Sequence, residues 1–195
     1  MKKALLLAFI LVSNFALAQF DFKNPTALSV NTGFFFPYSS EVFKTGVNIG
    51  ADIQHKLDPI YIYLSLVYNN SARKTNVPNE YYENTSGTSI TEITGGGRLY
   101  IGENKFKYLV DFGIGFYFEK KGSYRMRQGG IMTEYPSENN TTFGGSFGIG
   151  AEYPINSDFE FVAKLKYHLY FGVGNDPFLN PYFALTGGIK YNIKF

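Results

Sequence analysis

The 195-residue chain contains no cysteine, no tryptophan and only two histidines, His55 and His168. The missing cysteine excludes a disulfide scaffold, a thiolate metal centre, a cysteine nucleophile and a lipid-anchored N-terminal cysteine. Two histidines exclude a histidine-rich metal cluster. Charge is also sparse, 17% of residues against 45% hydrophobic, which excludes a disordered polyelectrolyte. No apolar stretch reaches the roughly 20 residues that a membrane helix requires. What is abundant is glycine (21), phenylalanine (20) and tyrosine (16), in a chain sized for one domain.

The first residues have the form of an export signal. Lys2 and Lys3 precede an apolar run from Ala4 to Val12, and Ala16-Leu17-Ala18 is a small-x-small cleavage pattern. Residues 1–18 are therefore expected to be removed, leaving a single domain over 19–195 that starts at Gln19. Without Lys2 and Lys3 the 18 basic residues become 16, equal to the 16 acidic ones. The mature chain is then formally neutral, and nucleic-acid binding loses its electrostatic basis.

From residue 28 onward the sequence alternates apolar and polar residues, the period-two signature of strands. Eight strands are expected near 28–36, 45–55, 60–68, 91–102, 108–119, 142–153, 159–171 and 182–195. Three connections are short: Lys56-Leu57-Asp58-Pro59, Glu103-Asn104-Lys105-Phe106, and Pro154 to Asp158. The others are loops, two of them long and polar, over 69–90 and 120–141. Short turns at one end and long loops at the other describe a chain of up-and-down hairpins.

The two faces of these strands differ sharply. One carries Val30, Phe34, Ile49, Leu64, Phe112, Phe116, Phe147, Phe161, Leu185 and their neighbours, and no Asp, Glu, Lys or Arg. The other carries Asp52, Glu92, Arg98, Asp111, Glu119, Glu152, Glu160, Lys164, Lys166, Lys190 and Lys194, together with most of the strand glycines. If the apolar face pointed inward, its aromatics would crowd a lumen that eight strands leave only wide enough for side chains. The glycines would meanwhile weaken the outer face without making packing room. Turning the barrel inside out removes both difficulties, because apolar residues meet lipid and glycines make space within. Closure also pairs every strand edge, as hydrocarbon requires. The expected fold is all-β: an eight-stranded antiparallel up-and-down transmembrane barrel with a polar lumen. Tyr68, Tyr108, Tyr153, Tyr167 and Tyr191 are expected nearer the strand ends, as interfacial aromatics.

With Ala16-Leu17-Ala18-Gln19, the eight strands and the ending Gly187 to Phe195, the chain resembles the small outer-membrane β-barrel domain family, of the OmpA/OmpX, opacity-protein and PorT-like type. Tyr191, Ile193 and Phe195 resemble the alternating C-terminal signal read by the barrel-assembly machinery. The resemblance implies a diderm outer membrane, periplasmic short turns, external long loops, and contact with lipid and lipopolysaccharide. It does not imply one activity, because members serve as anchors, adhesins or secretion accessories.

Candidate chemistry is modest, and no cofactor is expected. Asp52, Glu92, Arg98, Asp111, Glu152, Glu160, Lys164, Lys166 and Lys190 are expected to form a balanced, paired plug in the lumen rather than an ion pathway. The turn at 103–106 makes paired positions sum to about 209, so Arg98 should meet Asp111. Glu152 and Glu160 mimic a glycosidase pair, but no substrate cleft accompanies them. His168 would serve an outer-leaflet lipid hydrolase only with a nucleophile, and no serine motif supplies one. Gly95-Gly96-Gly97 and Gly144-Gly145 lack the helix and Lys-Ser/Thr of a phosphate loop. In the 120–141 loop, Lys120, Lys121, Arg125 and Arg127 lie together before a candidate hairpin, Ser123–Gln128 with Ile131–Tyr135. That cluster suits anionic head groups, and the hairpin edge suits strand addition by an envelope partner. The leading expectation is a non-enzymatic outer-membrane barrel presenting external loops, with a narrow solute channel as the alternative.

Overall fold

The computed structural model describes residues 24–37, 40–77, 80–102, 105–128, 130–171 and 179–193. The expected signal segment 1–18, part of the 103–106 turn, Lys194 and Phe195 lie outside the described residues. Among the described residues twelve strands form: β1 (Thr26–Pro37), β2 (Gly46–Leu57), β3 (Ile60–Ser71), β4 (Asn76–Val77), β5 (Glu80–Glu83), β6 (Thr88–Ile101), β7 (Lys107–Lys121), β8 (Tyr124–Gln128), β9 (Ile131–Tyr135), β10 (Glu138–Pro154), β11 (Phe159–Phe171) and β12 (Leu179–Ile193). Eight of them close an antiparallel barrel in the order β1-β12-β11-β10-β7-β6-β3-β2. Closure joins β1 to β12, with Val30 opposite Ile189.

The alternation maps directly onto the two faces. On β1, Leu28, Val30 and Phe34 are 44–56% exposed, while Ser29, Asn31 and Phe35 are buried. On β7, Phe112, Ile114 and Phe116 face out, and Asp111 and Tyr117 are fully enclosed. The short turns fix the register. Ile101 pairs with Tyr108 and Arg98 with Asp111 across β6 and β7, as the turn arithmetic expects. A slip by one residue would put lumen charges into lipid, at about 2–4 kcal/mol for each midplane Lys or Arg. Inward glycines make room for large neighbours: a Cβ on Gly113 would lie 2.3 Å from the Tyr63 hydroxyl, and one on Gly148 would lie 2.3 Å from Asp111 Oδ1.

Two expectations change at one rim. The 69–90 and 120–141 segments are not plain loops. β6, β7 and β10 run past their expected ends, and β4, β5, β8 and β9 form a second sheet in that order. The candidate hairpin is present as β8 and β9, but β5 pairs along its other edge, Glu83 with Arg125 and Tyr81 with Arg127. The β6–β7 ladder leads into this sheet through Gly122 N–H to the Gly87 carbonyl and Ser86 N–H to the Ser123 carbonyl, both 2.9 Å. At two and four residues, β4 and β5 are too short for alternation to mark them as strands in the sequence. They form here because a neighbouring ladder is already in place.

Candidate functional site

The lumen is filled in three polar layers. Nearest the short-turn rim, Lys190 contacts both Glu152 and Glu160, and Lys107 reaches Glu160 at 3.0 Å. The Tyr100 hydroxyl lies 2.8 Å from Glu152 and 2.9 Å from Gln54. Outside this layer a cavity of about 380 Å³ faces the rim, bordered by Pro25, Tyr61 and Asn192.

The middle layer centres on Arg98, which is 1% exposed. Its guanidinium donates to Asp52 at 3.1 Å, Asp111 at 3.0 Å and Gln54 at 2.5 Å. Lys164 donates to Asp52 at 2.8 Å, and Lys166 stands 3.9 Å from Asp111. The Tyr63 ring lies about 5 Å from both the Arg98 and Lys166 cations.

In the third layer His168 Nδ1 is 2.9 Å from Glu92, whose other oxygen accepts from Asn69 at 3.0 Å. Asn48 in turn donates to Asn69 at 2.5 Å. His168 stacks on Tyr182 with ring centroids 4.4 Å apart, and Phe35, Ile90, Tyr117 and Tyr170 complete an apolar cap above it.

The nine lumen residues read from the sequence therefore come together, and among the described residues each buried lumen acid faces a base. Pairing is what lets ionised groups persist in such an interior. Lys107 was missed because the expected strand began one residue after it. Glu119 faces the long-loop mouth, 3.7 Å from Lys121 and 3.1 Å from the Tyr170 hydroxyl. His55 is buried at the short-turn rim, 2.8 Å from Thr26 Oγ1. Tyr191 faces out and packs on Phe159 at 5.2 Å, and Ile193 ends the ladder opposite Thr26.

The basic cluster does not hold together as expected. Lys120 and Lys121 belong to β7, where strand alternation sends them to opposite faces. Lys120 is exposed on the outside, and Lys121 turns to the mouth beside Glu119. Arg125 and Arg127 sit on the second sheet, with Arg125 3.5 Å from Glu134.

The second sheet is instead organised by a residue the sequence did not single out. Arg73 is 8% exposed, with its guanidinium 3.8 Å from the Tyr124 ring centre, 4.7 Å from Phe43 and 5.4 Å from Tyr82. Phe43 comes from the β1–β2 connection, Tyr82 from β5 and Tyr124 from β8, so one cation gathers three connections. Backbone bonds from Lys44 N–H to the Ala72 carbonyl (2.8 Å) and Lys74 N–H to the Val42 carbonyl (2.7 Å) reinforce it. Tyr135 extends the aromatic face, stacked on Tyr124 at 4.6 Å. Burial pulls the guanidinium down from its ordinary pKa. Burial, then the hydrogen bond to Glu80, pushes the Tyr82 hydroxyl up to about 12. Each cation–π contact of this desolvated kind contributes roughly 1–2 kcal/mol. The only sequence trace of the arrangement is a lone Arg in a polar run and a pair of tyrosines.

A charge-filled barrel with an apolar exterior matches a known domain: residues 4–193 fit the family described as "Outer membrane protein beta-barrel domain". The chain belongs to that family. No curated protein matches the sequence. Solved structures with the same fold include Neisserial surface protein A, at 11% identity and a TM-score of 0.57, covering 86% of this chain and 97% of that one. Ail, the attachment invasion locus protein of Yersinia pestis, matches at 11% identity and 0.54, covering 88% and 99%. The outer membrane protein OprG of Pseudomonas aeruginosa matches at 9% and 0.55, covering 91% and 99%. At such identities the likeness concerns the fold alone.

Family membership turns the exposed apolar band into a lipid-facing surface and places this outer-membrane barrel protein in the outer membrane. The short-turn rim is then periplasmic and the second sheet extracellular. Phe106 with Tyr153 (5.0 Å) and Phe159 with Tyr191 form an aromatic girdle at the periplasmic rim. Tyr167 lies deeper, against Phe183 at 4.9 Å.

Proposed function

We propose that this outer-membrane barrel protein is a non-enzymatic display protein of the adhesion type, whose sealed barrel holds a rigid extracellular sheet for contact with a partner outside the cell. The observation that carries this reading is the Arg73 cluster, which locks three connections into one pre-formed surface. A surface ordered before contact avoids the entropic cost of ordering loops on binding, the usual obstacle for loop recognition. The sheet offers Ile131 at 71% exposure and Tyr81 at 46%, beside Arg127 and Met132. Such aromatic, methionine and arginine groups are enriched in binding surfaces. Ail, which shares the fold, carries attachment in its name.

The cross-lumen pairs and the apolar cap speak against the channel reading, since an ion entering the periplasmic cavity next meets Lys190, Tyr100 and Arg98. His168 lies 1% exposed beneath aromatic rings, a poor position for attacking a lipid. The assembly role of Tyr191, Ile193 and Phe195 is part of the same proposal.

The test uses cells producing the full chain, compared with cells producing Ile131→Asp or Arg127→Glu at equal surface level. Adhesion to immobilised matrix glycoproteins and sulfated glycans that either substitution weakens supports the reading. Absence of adhesion, or adhesion that neither substitution affects, refutes it. Steady ion-selective steps from the purified protein in planar bilayers would establish the channel instead.

A further inference from the structure

The barrel has four outward strand glycines, and they are not equivalent. Gly97 lies beneath an aromatic ring, where a Cβ would meet Phe112 at 2.9 Å, whereas Gly187 is covered by the Phe161 ring at an ordinary 3.6 Å. Gly95 and Gly145 flank Ile114 in one row, Gly95 across β6–β7 and Gly145 across β7–β10. Neither is required by its surroundings. The nearest atom to a Cβ at Gly145 is the Gly113 carbonyl oxygen at 3.4 Å, and at Gly95 the Tyr63 carbonyl oxygen at 3.5 Å, both ordinary contacts. Glycine inside a strand weakens it, so a bare position that the backbone does not need leaves room for something outside.

At Gly145 that room is a defined groove. It has a volume of about 410 Å³ and is walled by Ile114, Phe143, Phe147, Tyr167, Leu169 and Phe171. A second groove, of about 560 Å³, lies on the other side of Tyr167. Tyr167 packed on Phe183 is the ridge between them. The first groove spans three rows, from that of Phe112, where Phe147 and Tyr167 lie, through that of Ile114 to that of Phe116, where Phe143 borders it. Six residues above Ile114 on the same outward column of β7 stands Lys120, just beyond Phe118. Along the strand that is about 20 Å, or about 15 Å of depth at a tilt near 40°. Lys120 therefore marks the head-group level of the outer leaflet while the groove lies among its hydrocarbon. Lys121 and Arg125 are engaged by Glu119 and Glu134, whereas Lys120 makes no ion pair among the described residues.

We propose that this groove seats an acyl chain of a phosphorylated, multi-acyl glycolipid of the outer leaflet, with the Lys120 ammonium meeting its phosphate. The twin grooves take two chains of one molecule, with Tyr167 between them. Because lipid tails are as apolar as the wall, shape and the phosphate contact supply the preference, not hydrophobicity. A flat, filled wall would offer neither. The site is independent of whatever the extracellular sheet binds.

The test is native mass spectrometry of the full chain in detergent, with bisphosphorylated lipid A or phosphatidylethanolamine added at equal concentration. The native protein and Gly95→Leu retain lipid A, while Gly145→Leu, which fills the groove, loses the adduct and Lys120→Gln reduces it. Gly95→Leu is the matched control, in the same row but outside the groove. Equal lipid A retention by Gly145→Leu and Gly95→Leu overturns the proposal. So does equal retention of phosphatidylethanolamine and lipid A by the native chain, or a native dimer that Gly145→Leu dissociates. Should Gly145→Leu fail to fold, a photoreactive phenylalanine at position 169 replaces it. Crosslinking to lipid A from 169, and not from the same group at position 64 beside Gly95, supports the site; equal crosslinking refutes it.

Discussion

Asp111 is the position where removing a single charge should be felt most. The middle lumen layer holds three cations, Arg98, Lys164 and Lys166, around two carboxylates, Asp52 and Asp111. Asp111→Asn keeps the shape beside Gly148 but leaves three cations sharing Asp52. Arg98→Met leaves two simple pairs instead, Asp52 with Lys164 and Asp111 with Lys166. At 3.0 Å and an effective dielectric near 20, one contact amounts to about 5 kcal/mol before desolvation is counted. Breaking a buried pair from one side costs about 3–5 kcal/mol. Asp111→Asn is expected in that range, Arg98→Met below it, and the double variant about 1–3 kcal/mol better than the sum of the two. The assay is urea unfolding in lipid vesicles, followed by far-UV circular dichroism because the chain has no tryptophan. Arg98→Met costing as much as Asp111→Asn, or strict additivity in the double variant, would show that the layer is not one coupled unit.

Three further outcomes are expected. Arg73→Met removes the cation between Phe43, Tyr82 and Tyr124, so limited proteolysis should cut within 72–87 and 122–137 while the urea midpoint of the barrel stays within error. The Tyr82 hydroxyl is held neutral by burial and Glu80, with its pKa raised to about 12, so its contribution is complete below pH 10 and fades as pH rises toward 12. Protease protection of the sheet should follow that window, and in Tyr82→Phe the Tyr82 component should vanish; loss of protection centred on pH 10 in the native chain contradicts it. Deleting Phe195 should lower the amount of folded barrel in the outer membrane more than deleting one residue between 72 and 75, measured by heat-shifted gel mobility; equal losses remove the assembly reading of the C-terminus.

Some of this protein is written locally and some is not. Period-two alternation separates Phe112, Ile114 and Phe116 from Asp111, Gly113 and Gly115 without reference to any other strand, so sequence alone determined the two faces and hence the inside-out barrel. Turn length acts over a few residues, so it also determined that Arg98 meets Asp111. Which acid serves Lys164 was decided only by closure, because β2 and β11 are not neighbours and the span from Asp52 to Lys164 depends on barrel diameter and stagger. The same holds for Glu92 with His168, on β6 and β11. The extracellular sheet was beyond sequence for another reason. β4 and β5 are too short to declare themselves, and they exist because β8 lies alongside and Arg73 finds aromatic rings from three separate connections. Periodicity reports what one strand needs from its surroundings; the partners that meet that need are chosen by the closed three-dimensional chain.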